Sequence, residues 1–280
     1  MKMNRHIATV VLPLLLAAQG AVAAPLPSRI VLMWQVTGRD YAADMQQLAG
    51  LGVNAIQSFA LVKQDPSYVS GYLDAAAKAG LGVIPFIGPS GRGEPSQCDL
   101  SPAAHDFVVR YENSPAIAAW EIVDEPKSHG ISQDCQLKIH AALKSIDPNH
   151  PTMIAMNLTT QSDYDQYFNE SAFEILDLHS YVNSAIDRPQ RNLVDLFKKN
   201  HRGSYPTIVT LRAFNSPGAD NWHDVTAADL NSQFDFFIEG NLRGSGVGFY
   251  GWELAPNKGI KQVPDLRAGF EQIMRSKMKR

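Results

Sequence analysis

The chain of 280 residues sets 25 Lys and Arg against 28 Asp and Glu, for a formal net charge of −3. Such a balance excludes the basic face of a nucleic-acid groove, and two cysteines with no His/Cys cluster exclude a recognisable structural zinc site. The basic end Lys277-Met278-Lys279-Arg280 reads as a solvated helix terminus.

The first 23 residues have the order of a secretory signal: Lys2 and Arg5, an apolar run over 7–18, then the small residues Ala21-Val22-Ala23. The run is too short to span a bilayer comfortably, and no second long apolar stretch follows. The expectation is an exported soluble monomer, periplasmic or extracellular, with 24–280 forming one domain. Strands are predicted over 29–36, 53–59, 81–87, 117–123, 151–156, within 173–179, and over 206–211 and 246–252. Amphipathic helices are predicted over 41–51, 68–79, 105–112, 136–146, 193–200, 227–239 and 266–274, with Gly52 and Gly80 as stops. Eight strands with intervening helices fit a closed (β/α)8 barrel, which typically takes about 250 residues. No glycine fingerprint for a phosphate follows any strand, so neither a nucleotide nor any other cofactor is expected.

In such barrels the loops after the strand ends build the active site. Strand four runs into Trp120-Glu121-Ile122-Val123-Asp124-Glu125-Pro126, where Pro126 removes a ladder donor and stops the strand. Adjacent carboxylates beside a cleft raise one another's proton affinity, which suits a general acid. A cluster of acids at a helix start would give the same local pattern.

The stretch FVVRYENSPAIAAWEIVDEP at 107–126 resembles the strand-four region of the large retaining-glycosidase clan built on (β/α)8 barrels, the cellulase and β-galactosidase-like superfamily. Glu125 falls on that clan's acid/base glutamate, and Asp124 stands where Asn is usual. YLDAAAKAGLGVIPFIG at 72–88 is similar to its helix-two and strand-three segment. Asp177-Leu178-His179-Ser180-Tyr181 resembles its strand-six end, implying that His179 and Tyr181 line a sugar subsite. Trp252 matches the strand-eight tryptophan that stacks on the sugar. The resemblance thus implies a glycoside hydrolase acting on a poly- or oligosaccharide, and the signal-like N-terminus places that activity outside the cytoplasm as an expectation.

One departure bears on all of this. The clan's strand seven ends in a nucleophilic glutamate, and here Leu211 occupies that position, within Thr207-Ile208-Val209-Thr210-Leu211-Arg212. Either another carboxylate has taken over, with Glu253 best placed, or hydrolysis is inverting, or the barrel binds glycans without cleaving them, as a carbohydrate-binding or envelope-assembly protein. Glu253 follows Trp252 directly, and strand neighbours point to opposite faces, so Glu253 is expected to face the helices and pair with a Lys or Arg unless the backbone turns. Arg212 either aims into the cleft, holding a substrate carboxylate or Glu125, or points outward as a structural residue. Trp34, Gln35, Gln57, Ser58 and Asn157 end strands one, two and five and are candidates for sugar hydroxyls. Trp222, in the loop 215–226, is a candidate outer platform. In an oxidising compartment Cys98 and Cys135 are expected to pair, tying together the loops after strands three and four; two unrelated buried thiols are the alternative.

Overall fold

The alternation of short apolar runs and amphipathic segments closes into a barrel in a computed structural model, which describes residues 27–89, 98–179, 181–183, 186–201, 203–216 and 223–278. The expected signal segment lies outside them. Eight parallel strands form one sheet: β1 (Val31–Trp34), β2 (Ala55–Ser58), β3 (Gly82–Pro85), β4 (Trp120–Asp124), β5 (Thr152–Met156), β6 (Ile175–His179), β7 (Thr207–Arg212) and β8 (Gly246–Tyr250). Their order is β3-β2-β1-β8-β7-β6-β5-β4. The outer members meet through Val83 with Ile117 and Phe86 with Glu121, and Ile87 N donates to Glu121 O at 2.9 Å. The expected (β/α)8 barrel is therefore the fold.

The helices are α1 (Tyr41–Leu51), α2 (Pro66–Ala79), α3 (Pro102–Tyr111), α4 (Pro126–His129), α5 (Gln133–Ile146), α6 (Gln161–Tyr167), α7 (Arg188–Asn200), α8 (Ala227–Phe234) and α9 (Pro264–Ser276). Several begin before their first apolar contact because a side chain caps the free amides. Asp65 accepts from the amides of Ser67 and Tyr68 ahead of Pro66, and Ser101 accepts from Ala104 ahead of Pro102. The segment predicted as one helix over 227–239 changes at Asp235–Asn241 to a wider π-helical turn. No helix among the described residues is long and apolar enough to cross a membrane.

Strand alternation divides the apolar residues into two cores. Leu32, Ala55, Ile84, Ala119, Met153, Ile175 and Ile208 fill the barrel interior, while Met33, Ile56, Val83, Leu176, Val209 and Val247 face the helix layer. Along the inward face, apolar side chains give way to polar ones toward the C-terminal ends. Ala55 is followed by Gln57, Ile175 by Asp177 and His179, and Ile208 by Thr210, all buried. Dispersion and exclusion of water fill the lower barrel; the upper barrel depends on hydrogen bonds to offset desolvation.

Cys98 and Cys135 are joined in a disulfide. Cys135 lies in the first turn of α5 rather than in a loop, so the bridge ties the segment after β3 to a helix.

Candidate active site

The site rests on an irregularity in β4. Its register with β5 shifts between Glu121 and Val123, which inserts one extra residue and breaks the two-residue alternation. Ile122 and Val123 both pack in the outer core, Glu121 is buried and bonded to Gln57 of β2 through the amide Nε2, and the strand ends at Asp124. Glu125 then takes a left-handed backbone, φ 41° and ψ 67°, conformations that a non-glycine residue holds only when its surroundings enforce them. Its amide is anchored to Ala155 O at 2.8 Å and its carbonyl accepts from Ser128 N at 2.8 Å, so the strand turns directly into α4.

A chain of polar side chains crosses the barrel below these acids. Trp34 Nε1 donates to Thr210 Oγ1 at 3.1 Å, and Thr210 donates to both oxygens of Asp177 at 2.9 and 2.7 Å. A Cβ at Gly248 would collide with Thr210 Oγ1, so β8 needs glycine beside this link. Asp177 Oδ2 stands 3.4 Å from His179 Nε2, and His179 Nδ1 lies 3.6 Å from Glu125 Oε1 and 4.0 Å from Asp124 Oδ1. Tyr181 OH is 3.4 Å from the same nitrogen. Ser128 Oγ donates to Glu125 Oε2 at 3.0 Å, with Asn157 Nδ2 behind it at 3.4 Å.

These contacts separate the proton affinities of the two neighbours. Burial pushes the Asp124 carboxyl up to about 7; the His179 charge opposes this, and the Glu125 and Asp177 charges add to it. Burial acts on Glu125 in the same sense, but the His179 contact, the His179 charge and the Ser128 bond outweigh it and hold the carboxyl below its usual range. Burial alone would lower His179, yet Asp177, Glu125 and Asp124 raise it well above its ordinary value. Burial, reinforced by the Asp124 charge, pushes Glu121 well above its usual range. At neutral pH the cluster therefore carries an imidazolium, an ionised Glu125 and an Asp124 near its midpoint.

The strand ends thus bring together Asp124, Glu125, His179, Tyr181 and Asn157, with Trp34 as a floor. Trp34 is fully buried and packs against His179 at 4.9 Å and Tyr250 at 5.4 Å, so it supports the cleft from below. Other expected residues stand elsewhere. Trp252 is fully buried in the outer core and packs edge-on to Phe270 of α9; β8 ends at Tyr250, and the loop beyond carries Trp252 to the helix side. Tyr250, which sequence reading passed over, reaches the mouth instead, 5.5 Å from Tyr181 and 5.6 Å from Phe214. Counting by twos from the inward glycines Gly246 and Gly248 would have found it.

Leu211 faces the outer core. The regular alternation of β7 gives the inward face to Thr210 and Arg212, so the position expected for a nucleophile does not open on the cleft. Arg212 is fully buried, and its guanidinium donates to the carbonyls of Val182, Asn183 and His223 at 3.1, 3.0 and 2.9 Å. It clamps two loops together rather than holding a substrate carboxylate or Glu125. Glu253 pairs with Lys261 at 3.4 Å, and Lys261 also binds Asp44 at 2.9 Å; the alternation argument does not account for this pair, because its premise, Trp252 facing the cleft, fails and both residues lie beyond the end of β8. Gln57 supports Glu121 within the barrel, and Trp222 lies outside the described residues. Among the described residues no group of three or more His, Cys, Asp or Glu is arranged to hold a metal ion.

Two hollows flank the acid pair. A cleft of about 590 Å³ is lined by Glu125, Ser128, Asn157, Thr159, His179, Tyr181, Asn183, Asp187 and Gln190. A smaller one of about 260 Å³ is lined by Phe59, Lys63, Phe86, Pro89, Asp124 and His129.

No protein-family model matches the chain. A stretch of 71 residues is 42% identical to "Probable mannan endo-1,4-beta-mannosidase F" of Aspergillus flavus, which is 23% of this chain and 15% of that protein. The match therefore spans under a sixth of the relative's length. Among solved structures, a Bacteroides thetaiotaomicron protein provisionally assigned as an α-L-fucosidase superposes with a TM-score of 0.59 at 12% identity, covering 96% of this chain and 99% of that one. A GH39 β-xylosidase from Caulobacter crescentus gives 0.54 at 13% identity over 82% and 64%. A type I 3-dehydroquinate dehydratase from Clostridium difficile gives 0.51 at 10% identity over 89% and 93%. The chain has a (β/α)8 fold of the kind found in glycoside hydrolases, and at these identities the likeness concerns the fold.

Proposed function

We propose that this protein is an exported glycoside hydrolase acting on a poly- or oligosaccharide outside the cytoplasm, with Asp124 as general acid and Glu125 as the ionised carboxylate at the anomeric carbon. One observation carries the reading: two neighbouring carboxylates at the barrel mouth share the imidazole of His179 but face different surroundings. Asp124 lines a hollow with Phe59 and Phe86 and holds its proton up to about pH 7; Glu125 sits against His179 and Ser128 and loses it far lower. A protonated acid in an apolar setting beside an ionised one in a polar setting is the division of labour that glycoside cleavage requires. Sequence reading gave the acid role to Glu125; the surroundings favour exchanging the two roles. His179 holds Glu125 ionised, and Tyr181, Asn157 and Tyr250 shape the sugar site.

In the first step the glycosidic C–O bond breaks, the leaving oxygen takes the Asp124 proton, and a Glu125 oxygen bonds to the anomeric carbon. Water then displaces Glu125, giving its proton to Asp124. Configuration is retained.

The test is hydrolysis of a panel of oligosaccharides, free and as aryl glycosides, beginning with β-1,4-mannan because of the partial relative. The expected result is cleavage with retention by NMR, with kcat/KM lowered by about 10²–10⁴ in Asp124→Asn and Glu125→Gln. Undiminished cleavage in both variants would overturn the assignment. A second reading, a silent carbohydrate-binding barrel, is favoured by β7, which ends in the buried loop clamp Arg212 and brings no carboxylate to the cleft. Binding without cleavage across the panel would establish it.

A further inference from the structure

The left-handed turn at Glu125 swings its carboxyl into the larger cleft, while Asp124 lines the smaller hollow. The two spaces differ in kind. The cleft offers Asn157, Thr159, Asn183 and Gln190 to a ring rich in hydroxyls. The hollow offers the rings of Phe59 and Phe86, edge to face at 5.2 Å, together with Pro89. Asp124 and His129 complete its lining. Lys63 adds an exposed positive charge to the rim.

We propose that this hollow is the leaving-group site and takes an aromatic alcohol, with acidic ring substituents favoured, so that the substrate is a saccharide glycosidically linked to a phenol-type aglycone. The proposal rests on the glycosidase reading above for the reaction and on the hollow itself for the ligand. The aglycone ring packs edge-on to Phe59 and Phe86, the geometry aromatic pairs prefer. Its oxygen lies at Asp124, which supplies the proton as the C–O bond breaks and the electron pair moves to that oxygen. The sum is glycoside plus water giving sugar plus aromatic alcohol.

Binding of 4-hydroxybenzoate, 4-hydroxybenzyl alcohol and methyl β-mannoside to the full chain, measured by calorimetry and ligand-observed NMR, tests it. Saturable binding of both aromatics is expected, undisturbed by the mannoside. Phe86→Leu should weaken both about three- to tenfold. Lys63→Gln, a surface change that leaves the fold intact, should weaken the benzoate about threefold and leave the benzyl alcohol unchanged. Absence of saturable aromatic binding, or displacement by the mannoside, would overturn the proposal, as would affinities unmoved by Lys63→Gln and by a folded Phe86→Leu protein. Aromatic binding with these responses, but no cleavage of aryl glycosides, upholds the ligand class and defeats the hydrolytic reading.

Discussion

The ends of β4 and β7 lie in the same barrel and come from similar apolar runs, yet only one delivers carboxylates to the mouth. In β4 the irregularity after Glu121 turns two successive residues, Ile122 and Val123, to the helix side and lets Asp124 face the hollow. In β7 alternation continues undisturbed through the register pairs Thr210 with Gly248 and Arg212 with Tyr250. Leu211 is consequently committed to the outer core and Arg212 to loop carbonyls. Facing at a strand end is set by such local breaks as much as by position in a linear motif.

The contrast can be challenged at Leu211. Replacing it with Glu restores the residue that linear comparison expects, but the carboxylate would be buried among apolar side chains. We expect Leu211→Glu to lose about 3–5 kcal/mol of stability in denaturant titration, as an unpaired buried charge does, and to gain no activity. A stable, more active variant would show that β7 faces the cleft after all. A smaller effect is expected at Arg212. Arg212→Met removes charge-assisted bonds to three carbonyls, each worth about 1.5–3 kcal/mol before relaxation. Melting should reveal a net loss of about 2–3 kcal/mol, while KM shifts little because the guanidinium does not line the cleft.

The smallest change sharpens the β4 side. Asp177→Asn removes the carboxylate that raises His179, so the imidazole loses its charge more readily and Glu125 returns toward its ordinary affinity. Activity that needs ionised Glu125 is present above its pKa and lost as pH falls through it. That limb should therefore move to higher pH in the variant. An unmoved limb would mean that Asp177 acts only in packing.

Much of the barrel was legible because buried strands and amphipathic helices have different periods; α1 was bounded correctly at both ends by its apolar spacing and Gly52. The starts of α2 and α3 were read late because capping by Asp65 and Ser101, not burial, fixes them. Helix α6 escaped notice since Tyr164 alone in it is buried. At the site, Asp124, Glu125 and Asn157 were visible as polar residues ending apolar strands, and His179 and Tyr181 through the resemblance of the strand-six end. The exchange of proton affinity between the first two was not, since it depends on how deeply each carboxyl is buried and how closely each approaches His179. Trp252 was misplaced because nothing in Phe249-Tyr250-Gly251-Trp252 announces that β8 ends at Tyr250.

The division between Asp124 and Glu125 can be measured without any substrate, by carboxyl-carbon NMR titration of the folded protein with Asp124→Asn and Glu125→Gln to assign the signals. The account predicts that Asp124 titrates near 7 and Glu125 below the usual carboxylate range. Asp124 raised in this way favours the folded state more as pH falls below about 7, since its stabilising contribution is lost as pH rises through the folded value. A Glu125 signal titrating above that of Asp124 would contradict the account.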